Sequence, residues 1–234
     1  MDIFLKILSE WNIRISDKQM DLFERYYKLL VSWNEKINLT AVTEKDDVFI
    51  KHFADSIALI RYADLSGKRI LDIGTGAGFP GVPISIMCPG CSIVLADSLN
   101  KRIRFLDELV EDLELDDIIT VHGRAEDLAF DKRFREGFDV VVSRAVANMS
   151  VLSEYCLPFV KPGGVFVSYK GASVDEELSD AKNAISVLCG TVDRVEKYSI
   201  PFTEYDRSLC FINKVACTDN KYPRKAGTPS KDPL

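Results

Sequence analysis

Five short runs of β-branched and apolar residues, spaced so that helical patterns fit around them, constrain this chain more than any other feature. The runs are Arg69 to Ile73, Ser92 to Ala96, Ile118 to Val121, Phe138 to Val142 and Gly164 to Tyr169. Helical patterns accompany them, among them Arg102 to Leu113 and Val174 to Leu188, the latter with Leu178, Ala181, Ile185 and Leu188 on one face. A strand followed by a helix returns to the sheet parallel to itself, so the alternation predicts an α/β fold with a doubly wound, mainly parallel sheet. Two later runs, Thr191 to Ile200 and Ser208 to Val215, leave little room for a helix between them. They predict an antiparallel pair that brings the sheet to seven strands.

Upstream of Ser66-Gly67 the pattern is helical. Ile3, Phe4, Ile7, Leu8 and Trp11 make one stripe; Ser16 with Gln19 reads as a capping box ahead of Met20, Phe23, Tyr27 and Leu30. Thr43 with Asp46 repeats that signature before Phe49, Phe53, Ile57 and Ile60. At the other end, Lys221 to Pro229 is rich in Pro and Lys and reads as an extended basic tail. The expected organisation is a helical extension over 1–65, a core over 66–216 and a tail over 217–234.

With 234 residues, 47% of them apolar, the chain can bury one sizeable core plus an appendage. Its start lacks the basic flank and apolar stretch of a signal peptide, and no apolar run approaches the roughly 18–20 residues that span a bilayer. A cytoplasmic protein without a membrane partner is expected. Six cysteines scattered through apolar segments read as free thiols. The pair Cys88 and Cys91 has no second Cys or His cluster beside it, the only histidines being His52 and His122, so no metal is expected.

The strongest motif, Leu71-Asp72-Ile73-Gly74-Thr75-Gly76-Ala77-Gly78-Phe79-Pro80-Gly81, directly follows the first strand of the core. Glycines there let the backbone turn and approach a ligand closely. Gly76-x-Gly78-x-x-Gly81 also satisfies the dinucleotide pattern, so spacing alone leaves a nicotinamide oxidoreductase open. The acids weigh against it. Asp72 precedes the loop, Asp97 ends the second strand and Glu126 follows the third. Carboxylates complement a ligand that carries an ammonium and a sulfonium, S-adenosylmethionine, whereas a pyrophosphate wants a helix N-terminus without an adjacent carboxylate.

The residues resemble one family closely. Asp72 to Gly81, Asp97-Ser98-x-x-Lys101-Arg102-x-x-Phe105-Leu106, Gly123-Arg124-Ala125-Glu126, Ser143-Arg144-Ala145-Val146-Ala147 and Tyr222-Pro223-Arg224-Lys225-x-Gly227-Thr228-Pro229 occur in order. The likeness extends from Trp33-Asn34 and His52-x-x-Asp55-Ser56 to the C-terminus, and is similar to the RsmG (GidB, glucose-inhibited division protein B) family of bacterial small-subunit rRNA methyltransferases. It implies a Rossmann-like class I S-adenosylmethionine-dependent methyltransferase that methylates N7 of one guanosine in 16S rRNA, free or in an assembling or mature small subunit, and acts as a monomer. It further implies cofactor contacts at Gly74, Phe79, Ala125, Glu126 and Arg144, with Asp97 at the ribose; Asp72 and Gly76 join them from the loop. Methylation of another RNA or of a small molecule is the alternative.

The chemistry is consistent with that implication. Exocyclic-amine methyltransferases resemble one another in a Pro-Pro-aromatic run after the fourth strand, where this chain has Ser143-Arg144-Ala145-Val146. Carbon-5 methylation of a pyrimidine needs a cysteine nucleophile, and Cys156 lies within a helical pattern and reads as core. Guanine N7 has a free lone pair and needs no base. A net charge of −6 requires any RNA face to be local. Candidates for it are Lys101, Arg102, Lys170, Arg207, Arg224 and Lys225, with Arg104, Arg124 and Arg144 nearby.

Overall fold

The structure is a computed structural model that describes residues 3–234. Each β-branched run is a strand: β1 Arg69–Ile73, β2 Ser92–Asp97, β3 Ile118–His122, β4 Phe138–Arg144, β5 Val160–Gly171, β6 Gly190–Ser199 and β7 Asp206–Lys214. They form one seven-stranded sheet in the order β3-β2-β1-β4-β5-β7-β6. β1 to β5 pair in parallel, while β7 runs antiparallel to β5 and β6. The short turn from β6 to β7 cannot hold a crossover, so the two strands close as a hairpin.

The N-terminal helices are α1 Ile3–Glu10 and α2 Asp17–Ile37. The amide of Gln19 donates to Ser16 Oγ at 3.3 Å and the Ser16 amide to Gln19 Oε1 at 2.9 Å, the reciprocal cap expected. The second capping box does not form. α3 Lys45–Val48 starts after Glu44, with no side-chain cap, and the Thr43 carbonyl instead accepts the Tyr27 hydroxyl. Tyr27 is therefore only half-buried. The residue one step earlier, Tyr26, three residues from Phe23 on the same face, is wholly buried.

α3 continues into a π-turn, Phe49–Ala54, then α4 Asp55–Ile57 and a 3-10 turn, Ala58–Arg61. Such widened turns recur at functional sites because the extra residue re-aims the side chains around it. Here they are His52 and Asp55. Phe4, Phe23, Phe49 and Phe53 pack ring against ring at 4.9–5.3 Å. They share one apolar cluster with Ile70, Ile93 and Val140, so the first helices cover one face of the sheet.

Along the core the helices are α5 Gly81–Met87, α6 Asn100–Asp112, α7 Ala125–Leu128, α8 Met149–Cys156, α9 Asp175–Asp180 and α10 Lys182–Val187. The helix expected over 174–188 is thus two short ones, parted at Ala181, where ψ of 0° leaves the helical range. Leu178, Ala181, Ile185 and Leu188 still face one way and are buried against Val141 and Phe166. No helix among the described residues is long and apolar enough to cross a membrane.

The tail is not extended. It folds back over α7 and α8 and ends in α11 Thr228–Lys231. Arg135 donates to the carbonyls of Thr218, Asp219 and Tyr222, pinning its start. Pro223 and Pro229 are buried. Burial of apolar prolines and satisfied carbonyls outweighs the chain entropy that would keep so polar a segment in solvent.

Candidate active site

β1 lies between β2 and β4, so the direction of chain winding reverses at its carboxyl end, where sheets of this kind bind ligands. A cavity of about 290 Å³ opens there. Its floor is the glycine loop at Gly74, one wall is Asp97 and Ser98 after β2, and another is Ala125 and Glu126 at the start of α7.

The loop has little freedom. Gly74 adopts φ of +68°, and a Cβ on it would stand 2.5 Å from Val146 Cγ2. At Gly81, which begins α5, a Cβ would meet Leu95 Cδ2 at 2.4 Å. Both positions need a bare backbone. Asp72 fastens the loop from below: its Oδ2 accepts Thr75 Oγ1–H at 2.7 Å and the Gly81 amide at 2.9 Å. The side chain is fully buried and absent from the cavity wall, so its part is to hold the loop and not to touch a ligand directly. Burial pushes its carboxyl up to about 7, against the two hydrogen bonds that favour the charged form.

Asp97 is at the wall and only 2% exposed. Its Oδ2 accepts the Gly76 amide at 3.0 Å and Arg102 Nη1 at 3.2 Å, and Oδ1 accepts the Leu99 amide at 2.8 Å. With about four acceptor sites on a carboxylate, one on Oδ1 is left for a ligand hydroxyl. Gly76 contributes through this bond and does not line the cavity. Glu126 is nearly buried, and its Oε1 accepts the Gly227 amide from the tail at 2.9 Å.

Phe79 and Arg144 stand elsewhere. Phe79 stacks on His52 at 4.6 Å and on Tyr26 at 5.4 Å, behind the loop and not in the cavity wall. The Tyr26 hydroxyl donates to the Ala77 carbonyl, tying α2 to the loop. Arg144 lies with its guanidinium 5.2 Å from the Phe79 ring and pairs with Asp55 at 2.8 Å. It lines a second cavity, of about 370 Å³, with Lys170 and Arg207. The two cavities are separated by Ala145, held at φ of +56°: Val146 walls the first, Arg144 the second. Beside Arg144, burial and then the guanidinium charge drive the His52 imidazole down to about 3, so it is neutral.

The cationic candidates divide. Lys170 and Arg207 share the second cavity. Arg102 is paired with Asp97, and exposed Lys101 reaches the Ile37 carbonyl at 3.3 Å. Arg224 turns to Glu154, wholly buried in α8, which its guanidinium grips through Nε at 3.0 Å and Nη2 at 2.8 Å as a clasp. Lys225 is exposed. The geometry adds Tyr155 and Ser230 to the first cavity, which no motif marked, and gives places to Val146 and Asp55, which stood in motifs without a role. A helix tyrosine or a tail serine carries no chemical signature in a sequence; only the fold brings them there.

Comparison with known proteins agrees with this geometry. The profile of the GidB family, rRNA small subunit methyltransferase G, matches residues 19–210. Ribosomal RNA small subunit methyltransferase G of Lactobacillus johnsonii is 50% identical over 236 residues, covering 100% of this chain and 99% of the relative. That of Geobacillus kaustophilus is 50% identical over 232 residues, 99% of this chain and 98% of its own. Among solved structures, an S-adenosylmethionine-dependent methyltransferase from Aquifex aeolicus shares the fold with a TM-score of 0.55 at 17% identity, over 78% of this chain and 97% of that one. TYW2 of M. jannaschii, solved in complex with AdoMet, gives 0.52 at 12% identity over 66% and 72%. The chain belongs to the rRNA small subunit methyltransferase G (GidB) family.

Proposed function

We propose that the protein transfers a methyl group from S-adenosylmethionine to N7 of a guanosine in 16S rRNA of the small ribosomal subunit, working in the cytoplasm as a monomer. The observation that carries this reading is the pair of cavities on either side of Ala145 and Val146, the first lined by Asp97 and Glu126 with one cation, Arg124, the second by Lys51, Arg144, Lys170 and Arg207 with one acid, Asp55. An acidic cavity over a bare glycine loop suits a cationic adenosyl ligand; a cationic one beside it suits a polyanion.

The site fits the cofactor. Gly74 presents bare backbone to the cavity, Asp97 Oδ1 keeps an acceptor for a ribose hydroxyl, and Ala125 with Glu126 borders the adenine side. Bound there, S-adenosylmethionine supplies an electrophilic methyl group. The remainder is positioning by this chain. Asp72 and Tyr26 keep the loop in place, and a left-handed turn at Ala145 joins Arg144 of the second cavity to Val146 of the first.

No group of the described residues is placed as a base or a covalent nucleophile. His52, the only imidazole at either cavity, is neutral to about pH 3, with Nε2 at 2.8 Å from Thr40 Oγ1. Cys156 is wholly buried in α8 and lines neither cavity. Guanine N7 carries its lone pair already, so alignment and charge complementarity suffice. In this reading the core 66–216 carries most of both cavities, the helical segment 1–65 adds Lys51, His52 and Asp55 to the second, and the tail 217–234 adds Gly227 and Ser230 to the first.

Two measurements test the reading. Calorimetry should show binding of S-adenosylhomocysteine and none of NAD. Methyl label from S-adenosylmethionine should enter purified small subunits and not large ones; label in neither would overturn the assignment.

A further inference from the structure

We propose that the second cavity is a phosphate site, which holds a backbone phosphate of the acceptor RNA next to the nucleotide being methylated. This rests on the reading above and goes beyond it by naming the subsite. The wall carries Lys51, Arg144, Lys170 and Arg207 against a single carboxylate, Asp55, with His52 uncharged. A cavity of about 370 Å³ falls within the roughly 300–1,000 Å³ of small-ligand sites, ample for one nucleotide unit.

Asp55 offsets part of this charge, but its own oxygens are taken up by protein partners. Its side chain is 5% exposed, Oδ2 accepts Arg144 Nη1 at 2.8 Å, and Oδ1 accepts the Tyr198 hydroxyl at 2.9 Å with Arg207 Nε at 3.6 Å. One carboxylate thus clamps two guanidinium groups, each of which has five N–H donors and spends only part of them here. Lys170 Nζ lies 2.5 Å from Glu177 and Lys51 Nζ 3.0 Å from Asp47, but neither acid is in the cavity wall. Lysine, with three donors, keeps capacity for an anion.

The chemistry decides between phosphate and base as the occupant. During methyl transfer to N7 the positive charge of the sulfonium passes to the purine. A cluster of four cations around that ring would oppose the transfer, whereas around a flanking phosphate it does not.

The test uses the full-length protein and fragments of small-subunit rRNA, with affinity measured across a salt series. Replacing Arg207 (Arg207→Gln) should reduce the slope of log K against log salt by about 0.7–0.9 and raise the KM for RNA at least about fivefold. S-adenosylhomocysteine affinity should stay within about twofold. Lys170→Gln, which leaves the Asp55 clamp intact, should act the same way and guards against a variant of Arg207 that fails to fold. Unchanged slopes in both variants would overturn the phosphate site, whatever their stability. Because the slope is read from binding, that result stands apart from the enzymatic assignment, which falls instead if the unaltered protein methylates no rRNA.

Discussion

The amide of Gly227 donates to Oε1 of Glu126 at 2.9 Å, across 101 residues of chain. This bond joins the C-terminal tail to the acid that follows β3, and the Tyr155 hydroxyl with Ser230 Oγ at 2.8 Å repeats the attachment a few residues on. The tail is therefore a wall of the cofactor cavity. Arg224, bound to buried Glu154, holds that wall in place.

Removal of the clasp should be costly. In Arg224→Ala the buried Glu154 carboxylate would keep the amide of residue 224 but lose its charged partner, a change worth about 3–5 kcal/mol. At roughly 2–4 °C per kcal/mol for a chain of this size, Tm should fall by roughly 6–20 °C in differential scanning calorimetry. The salt slope of RNA binding should not change. A normal Tm with a shallower slope would return Arg224 to the RNA face.

The glycine loop gives a sharper prediction. Alanine at position 74 places Cβ 2.5 Å from Val146 Cγ2 in a backbone conformation that alanine disfavours. Gly74→Ala should weaken S-adenosylhomocysteine binding at least about tenfold, equivalent to about 1.4 kcal/mol, in calorimetry. Wild-type affinity would mean that the ligand does not lie on this loop.

Asp97 combines two tasks, since it holds the Gly76 and Leu99 amides and faces the cavity. Asp97→Asn keeps the shape but loses a charged acceptor, worth about 1.5–3 kcal/mol per hydrogen bond. Cofactor affinity should drop about tenfold or more while the far-ultraviolet circular dichroism stays that of the parent. Equal affinity would remove Asp97 from the ribose.

Much of this was readable before the fold. The seven strands follow from β-branched runs, and the cap at Ser16 from its partner Gln19, because both are local rules. Asp97 and Glu126 were legible since acids at strand ends have a chemical meaning. The parts that were not legible depend on distance in space. Nothing in Tyr222 to Pro229 states that Arg224 will find Glu154, 70 residues away. Phe79 and Arg144 belong to motifs, yet their neighbours His52 and Asp55 lie on a π-turn and at the start of the helix that follows it, and no periodicity marks that turn. The second capping box failed because helix α3 begins one residue later, with Glu44 and not Thr43 at its N-cap.

Two buried groups predict opposite responses of stability to pH. His52, driven to about 3 in the fold, titrates near 6.5 when unfolded, so the unfolded chain takes up a proton first and stability falls as pH drops from 6.5 towards 3. Asp72, raised to about 7, titrates near 3.9 when unfolded; the folded chain keeps a proton that the unfolded one has lost, and stability falls as pH rises from 4 to 7. Urea midpoints across pH should lose the first trend in His52→Asn and the second in Asp72→Asn. Unaltered profiles would show that neither group titrates as its surroundings dictate.

The central claim is methylation at guanine N7, and the identity of the product nucleoside tests it most directly. Small subunits from cells lacking this protein should be treated with it and S-adenosylmethionine, and their 16S rRNA digested and separated by mass spectrometry. The account predicts one new N7-methylguanosine per subunit, confirmed by strand scission at that base after borohydride reduction. A methyl group on an exocyclic amine, a ribose or a pyrimidine carbon would contradict it.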